Sequence, residues 1–259
     1  IALTQYVTAY CLVDPSTLTD LRLFTLTLAT VLIAAAGYII NDYYDVKIDL
    51  INKPDRVVIG KEVPRRHAMI FHTILSVAGA LLGLWLSWKI ALVNIASSFL
   101  LWLYSNALKR LPFVGNVAVS LLTGLGVYMI NILYPPFRLL ILVYALFAFF
   151  ITLVREIIKD LEDLRGDDTF GCKTLPVIWG VRRTRNFAIF LLVVFFGLIL
   201  FINAMVSPLP MGFFAGFLLL PLLVLVVWLS RADTRRDFYL LSQFCKLIML
   251  AGILSMAFL

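Results

Sequence analysis

Apolar runs of roughly 20 residues recur along nearly all of this 259-residue chain. That is the length a helix needs to cross a hydrocarbon core about 30 Å thick. Hydrophobic residues make up 62% of the chain and charged residues 14%, against about 45–50% and about 25% in an ordinary soluble domain. A soluble globule of this size has too little interior to hide so much apolar surface. A secreted, disordered or nucleic-acid-binding protein is therefore excluded, and the sequence reads as an all-α, polytopic membrane protein.

Nine apolar segments are expected, at about 1–13, 19–44, 67–88, 90–108, 115–133, 138–161, 185–205, 211–230 and 238–259. They form one transmembrane domain over 1–259. The first opens inside an apolar run without a methionine, so the N-terminus is expected to lie upstream. It has neither the basic start nor the small-residue cleavage site of a signal peptide. Pro135 with Pro136, and Pro208 with Pro210, break two short connections. Cys11, Cys172 and Cys245 match no metal or disulfide spacing and read as small apolar fillers or free thiols. His67 and His72 have no nearby cysteine, so no zinc or haem site is read.

The net charge of +7 marks topology. Connection 2–3 holds Lys47, Lys53, Arg56, Lys61, Arg65 and Arg66, and connection 4–5 holds Lys109 and Arg110. Connection 6–7 and its flanks hold Arg155, Lys159, Arg165, Lys173, Arg182, Arg183 and Arg185, and connection 8–9 holds Arg231, Arg235 and Arg236. The opposite connections hold only Arg22, Lys89 and Arg138, with Lys246 inside the ninth segment. Positive charge gathers on the cytoplasmic side, so the even-to-odd connections are expected there, in a prokaryotic cell membrane.

Two of those connections are long and rich in both signs of charge, and they share a pattern. Segment two ends in Asn41-Asp42-Tyr43-Tyr44-Asp45-Val46-Lys47-Ile48-Asp49, and segment six in Asp160-Leu161-Glu162-Asp163-Leu164-Arg165-Gly166-Asp167. Both contain D-x-x-D-x-x-x-D. On a helix the three aspartates lie within about 60° of one another, so each motif presents a carboxylate face. Carboxylates crowded at the edge of an apolar medium are costly, and acids at a helix C-terminus oppose the macrodipole. A hard divalent cation relieves both costs. Mg²⁺ takes oxygen ligands and substrate phosphates, and two facing clusters suit a pair of such ions with a diphosphate between them. Arg56, Lys109, Arg155, Lys159 and Lys173 are candidates to complete the clamp. The apolar bundle below would take a hydrocarbon tail, so a lipid diphosphate fits. Glu156 and Glu162 read as solvated or structural.

These residues resemble the UbiA superfamily of intramembrane prenyltransferases. NDYYDVKID (41–49) is similar to that family's first motif and DLEDLRGD (160–167) to its second. NKPDRVVIG (52–60) resembles its downstream stretch, which more often has RP where this chain has Arg56-Val57. YSNALKR (104–110) resembles a third stretch, after helix four. The resemblance implies nine helices around a central cavity, Mg²⁺-dependent ionisation of a prenyl diphosphate, and transfer to a lipophilic acceptor. It implies metal ligands at Asn41, Asp42, Asp45, Asp49, Asp160, Asp163 and Asp167. Asp42, Asp45, Asp160 and Asp163 would carry the catalysis, while Lys109, Arg56 and Lys173 would contact diphosphate and Tyr104 would line the site. The run 155–180 is most similar to the geranylgeranylglycerol-phosphate geranylgeranyltransferase branch, which prenylates a glycerol hydroxyl. This implies geranylgeranyl diphosphate as donor and a membrane-lipid acceptor; no obligatory protein partner is evident in the sequence.

An aromatic acceptor of quinone, tocopherol, chlorophyll or haem O synthesis, and a terpene cyclase on the same scaffold, remain open alternatives at this level. A transporter fits less well, because ion sites of transporters lie near the bilayer midplane and these acids lie at one face. Gln5, Asn94, Asn131, Asn203 and Gln243 are expected to make interhelical hydrogen bonds, and Gly37, Gly124 and Gly126 to permit close helix packing.

Overall fold

The computed structural model describes residues 1–52, 57–206 and 219–258; of these, the side chains of 47–49, 51, 52 and 202–206 are not described. Among the described residues ten α-helices follow one another: α1 (Ala2–Leu12), α2 (Leu21–Asn52), α3 (Arg65–Leu86), α4 (Trp88–Asn106), α5 (Val114–Leu133), α6 (Leu139–Thr169), α7 (Leu175–Trp179), α8 (Val181–Val206), α9 (Leu220–Arg231) and α10 (Arg235–Ser255). Short 3-10 turns lie at Pro15–Thr19, Leu108–Arg110 and Met256–Phe258.

Among the described residues, seven helices are long and apolar enough to cross a membrane: α2, α3, α4, α5, α6, α8 and α10. The expectation of nine is met only to that extent. The first apolar segment folds as an 11-residue helix, and α9 has 12 residues after 207–218, which lie outside the described residues.

The helix ends follow local chemistry. Ser87, extended at φ −169°, accepts from the Ile90 N–H at 3.2 Å and turns α3 directly into α4. Thr234 and Asp237 form a reciprocal capping box at the start of α10. Gly171, at φ +68°, ends α6, and the Cys172 N–H then closes on the Asp167 carbonyl at 2.9 Å.

The two motif-bearing helices are the longest, at 32 residues for α2 and 31 for α6. Both run past the ends expected from hydropathy, because polar composition stops an apolar run but does not stop a helix. No proline interrupts α2 before Pro54 or α6 before the Gly171 turn. Both acidic motifs are therefore helical throughout.

α6 is the central post, packed against α5, α8 and α10, while α2 lies against α3 and α4. Ile151, Val154, Ile157, Ile158 and Leu161 of α6 pack with Leu192 and Phe195 of α8, Leu225 and Leu229 of α9, and Phe238 and Leu241 of α10. Outward faces stay apolar, as Phe71, Ile74, Leu81 and Trp85 do along α3, which suits contact with lipid.

Polar groups inside such a bundle need internal partners. Asn94 donates to the Gly79 carbonyl at 2.9 Å, joining α4 to α3. Gln5 donates to the Gly126 carbonyl at 2.9 Å and the Thr30 hydroxyl at 3.2 Å, joining α1 to α5 and α2. The other expected interhelical bonds differ. Asn131 instead secures the following turn through the Arg138 backbone, and Gln243 accepts from Lys246 on its own helix. The Asn203 side chain lies outside the described residues.

Candidate active site

Five helices each contribute one stripe, and α1 adds Thr4, to a cavity of about 670 Å³. Thr30, Ile33, Gly37 and Asn41 come from α2, Leu101 and Tyr104 from α4, Val119, Leu122 and Gly126 from α5, Phe147, Ile151, Arg155 and Lys159 from α6, and Met249 and Gly252 from α10. Spacings of three and four place each set on one helix face. On α2, α4 and α6 the stripe is largely apolar along the bundle and turns polar as it reaches the acidic motifs. The volume falls within the ordinary range of ligand pockets.

The first motif meets Lys109. Its ammonium pairs with the Asp45 carboxylate and donates to Asn41 Oδ1 at 3.3 Å. Lys109 sits on the Leu108–Arg110 turn, which Gly115 lets close onto α5: a Cβ there would stand 2.9 Å from the Leu108 carbonyl oxygen. The second motif is held from other directions. Asn116 Nδ2 on α5 donates to Asp160 Oδ2 at 2.8 Å, and the Thr174 hydroxyl donates to Asp167 Oδ2 at 3.0 Å.

Tyr104, which lines the cavity, is common to both motifs. Its phenol lies within electrostatic reach of Asp45 from the first motif and of Asp160 and Asp167 from the second. Loops from both sides also join, since the Lys173 N–H donates to the Arg110 carbonyl at 3.0 Å. Burial pushes the neighbouring Cys172 thiol up, with Asp167 adding to the effect, in keeping with an inert filler.

The expected residues thus divide. Asn41 and Tyr104 line the cavity, Asp45 and Lys109 are joined to each other and, through Lys109, to Asn41, Asp160 and Asp167 are half-buried and within electrostatic reach of Tyr104, and Asp42 and Asp163 are exposed. Lys173 is also exposed, tied in through its backbone. Arg155 and Lys159 line the cavity but turn to Glu156, at 2.6 and 3.1 Å. The Asp49 side chain and all of Arg56 lie outside the described residues. Among the described residues, no three His, Cys, Asp or Glu side chains converge as a ready metal cluster. The partners named above account for this, since they hold three of the carboxylates at separate points around the mouth. The donor set is nonetheless all oxygen, the chemistry Mg²⁺ selects.

Glu156 takes the structural role read for it, buried in the cavity wall and paired with Arg155 and Lys159. Two residues of the site escaped the sequence reading: Asn116 and Thr174 carried no signal, being single polar residues outside both motifs.

The UbiA prenyltransferase family model matches residues 2–248. The chain belongs to the UbiA prenyltransferase family. As a UbiA protein with several apolar helices of spanning length, it is an integral membrane protein.

Among its relatives is the digeranylgeranylglyceryl phosphate synthase of Methanothermobacter thermautotrophicus, 38% identical over 162 residues, covering 61% of this chain and 57% of the relative. The same enzyme of Saccharolobus solfataricus is 35% identical over 198 residues, 76% of this chain and 67% of the relative. That of Pyrococcus horikoshii is 32% identical over 206 residues, 77% and 69%. The aligned stretch therefore spans just over half of the first relative and about two thirds of the other two.

The UbiA fold is seen directly in solved structures. One of digeranylgeranylglyceryl phosphate synthase superposes with TM-score 0.76 at 23% identity, covering 100% of this chain and 92% of that one. A UbiA homolog from Archaeoglobus fulgidus bound to DMAPP and Mg²⁺ gives 0.74 at 17% identity, covering 99% and 95%.

Proposed function

We propose that this chain transfers a geranylgeranyl group from its diphosphate to the glycerol hydroxyl of geranylgeranylglyceryl phosphate, with two Mg²⁺ ions, in ether-lipid synthesis. The observation that carries the reading is that Tyr104, in the wall of one largely apolar cavity, lies within electrostatic reach of aspartates from both helix-borne acidic motifs. The relatives named above support the acceptor class. The gathering of Lys and Arg on the motif-bearing connections supports a cytoplasmic mouth and the nine-span count.

The chemistry divides among the chain's own residues. Asn41, Asp42 and Asp45 with Asp49, and Asp160 and Asp163 with Asp167, are the oxygens to hold the ions, which supply positive charge to the departing diphosphate. Lys109, already aimed at Asn41 and Asp45, offers a cation to the same head group, with Lys173 and Arg56 on adjoining loops. The C1–O bond breaks with its electron pair leaving on the diphosphate. Apolar side chains such as Leu101, Phe147 and Ile151 keep water from the allylic cation that remains. The acceptor oxygen then bonds to C1 and gives up its proton, with the mouth carboxylates and the released diphosphate as the bases at hand.

Purified protein given geranylgeranyl diphosphate, Mg²⁺ and a panel of acceptors should yield the glyceryl diether phosphate by mass spectrometry, and chelation should stop it. Prenylation of an aromatic acceptor alone, or release of a hydrocarbon with no acceptor consumed, would overturn the reading.

Asn116 is expected to orient Asp160. Asn116→Ala should lower turnover about ten- to a hundredfold, as loss of a ligand's hydrogen-bond partner does. Alanine favours the helix, so the thermal midpoint should hold. Unchanged turnover would remove Asn116 from the site.

A further inference from the structure

Gly126 stands apart from the other glycines of the cavity region. A Cβ on Gly37 would meet Leu101 Cδ1 at 2.8 Å, and one on Gly124 would meet the Ala145 carbonyl oxygen at 2.9 Å. At Gly252 the Phe147 ring fills the space. Those positions are glycine because a neighbour is there. A Cβ on Gly126 would meet nothing within 4 Å, so the expectation that Gly126 permits close helix packing is corrected. It lines the cavity, and the space a side chain would take is part of the hollow. Nor does Gln5 require a glycine there, since Gln5 reaches the backbone carbonyl and not the open side.

The depth of Gly126 follows from the same hydrogen bonds. Gln5 spans from the Gly126 carbonyl to Thr30, which sets Gly126 at the level of Thr30. Thr30 lies eleven residues before Asn41 on one continuous helix, about 16 Å at about 1.5 Å per residue. An extended prenyl chain advances roughly 5 Å per isoprene unit, four zigzag bonds of about 1.5 Å. Three units thus fill the distance from the mouth to Gly126, and the fourth must pass it.

We propose that Gly126 is the gauge of donor length: the bare backbone at this level of α5 leaves passage for the fourth isoprene unit, and a side chain there closes it. This rests on the prenyl-diphosphate reading above and adds to it a residue that sets chain length. A glycine inside a helix costs about 0.5–1 kcal/mol relative to alanine, so substitution should not unfold the protein.

The test is a competition among geranyl, farnesyl and geranylgeranyl diphosphates with one fixed acceptor, products being counted by mass spectrometry. Wild type, Gly126→Ala and Gly126→Leu are compared. Gly197→Leu is the control, since Gly197 also has open space but on an exposed face of α8. Expected for Gly126→Leu is a fall of roughly ten- to a hundredfold in the ratio of C20 to C10 product, the scale of misfit by a few carbons in an apolar pocket. Gly126→Ala should show a smaller fall in the same direction, and Gly197→Leu none. Ratios within one sample cancel any loss of folded enzyme. An unchanged ratio in both Gly126 variants, or equal loss with all three donors, overturns the gauge while leaving the prenyltransferase reading in place. If wild type consumes none of the donors, that reading fails and the gauge fails with it.

Discussion

Asp160→Ala should abolish prenyl transfer, with turnover falling at least about a thousandfold, the upper scale for removing one preorganised group that stabilises developing charge. Asp160 sits half-buried on α6 at the cavity mouth, with one oxygen held by Asn116 at 2.8 Å and Asp167 on the same acidic face. Alanine is a better helix former than aspartate, and it relieves repulsion within that face. The variant should elute as a single species in detergent with a thermal midpoint near that of wild type, the gain in helix propensity offsetting the Asn116 amide left without its acceptor. Full loss of product with an intact fold is the pairing that marks a chemical role. Near-normal turnover would remove Asp160 from the ligand set. Its difference from Asn116→Ala is informative, because the first deletes the carboxylate and the second only its tether.

Lys109→Met carries the second large effect, and it acts on stability as well as on binding. The Lys109 side chain is 12% exposed and that of its partner Asp45 17% exposed. Breaking such a pair from one side leaves a carboxylate without its counter-charge, worth about 3 kcal/mol when burial is this deep. The thermal midpoint should fall. KM for the prenyl diphosphate should rise about tenfold or more, the scale of one charge-assisted contact. Adding Asp45→Asn removes the stranded charge, so the double variant should regain much of the lost stability. It should regain none of the activity, because Asp45 is itself a proposed ligand. If Lys109→Met leaves both the midpoint and KM unchanged, the lysine is a bystander. If the double variant recovers activity, the role of Asp45 is wrong.

Much of this arrangement was legible in the sequence, for physical reasons that also mark where legibility ends. Hydropathy located seven of the nine expected spans among the described residues, because lipid contact demands apolar side chains over a fixed length. It misjudged the ends of α2 and α6, since backbone hydrogen bonding continues into Asp42–Asp45 and Asp160–Asp167 where polarity begins. The repeated aspartate spacing singled out the ends of α2 and α6, both helical in the structure, because helical periodicity turns such spacing into a shared face; that these acids hold metal is the proposal made above. Arg155 and Lys159 looked equally suited to a diphosphate, yet both turn to Glu156, a choice made by three side chains within one and a half turns of α6. Asn116, 44 positions from Asp160, and Gly126, defined by what does not surround it, are products of tertiary packing. Local pattern cannot carry either.

The acidic groups stand on rods, not on loops. A loop can lose or gain a residue and still close on its ligand, but a continuous α-helix turns about 100° for each residue added. Insertion or deletion of a single residue within α2 between Gly37 and Asn41 would swing the acidic motif about 100° around the helix while leaving the apolar wall beneath it untouched. Hydropathy would hardly register such a change. In chains built this way, angular phase between wall and rim is the quantity that selection must guard, and it is invisible to composition.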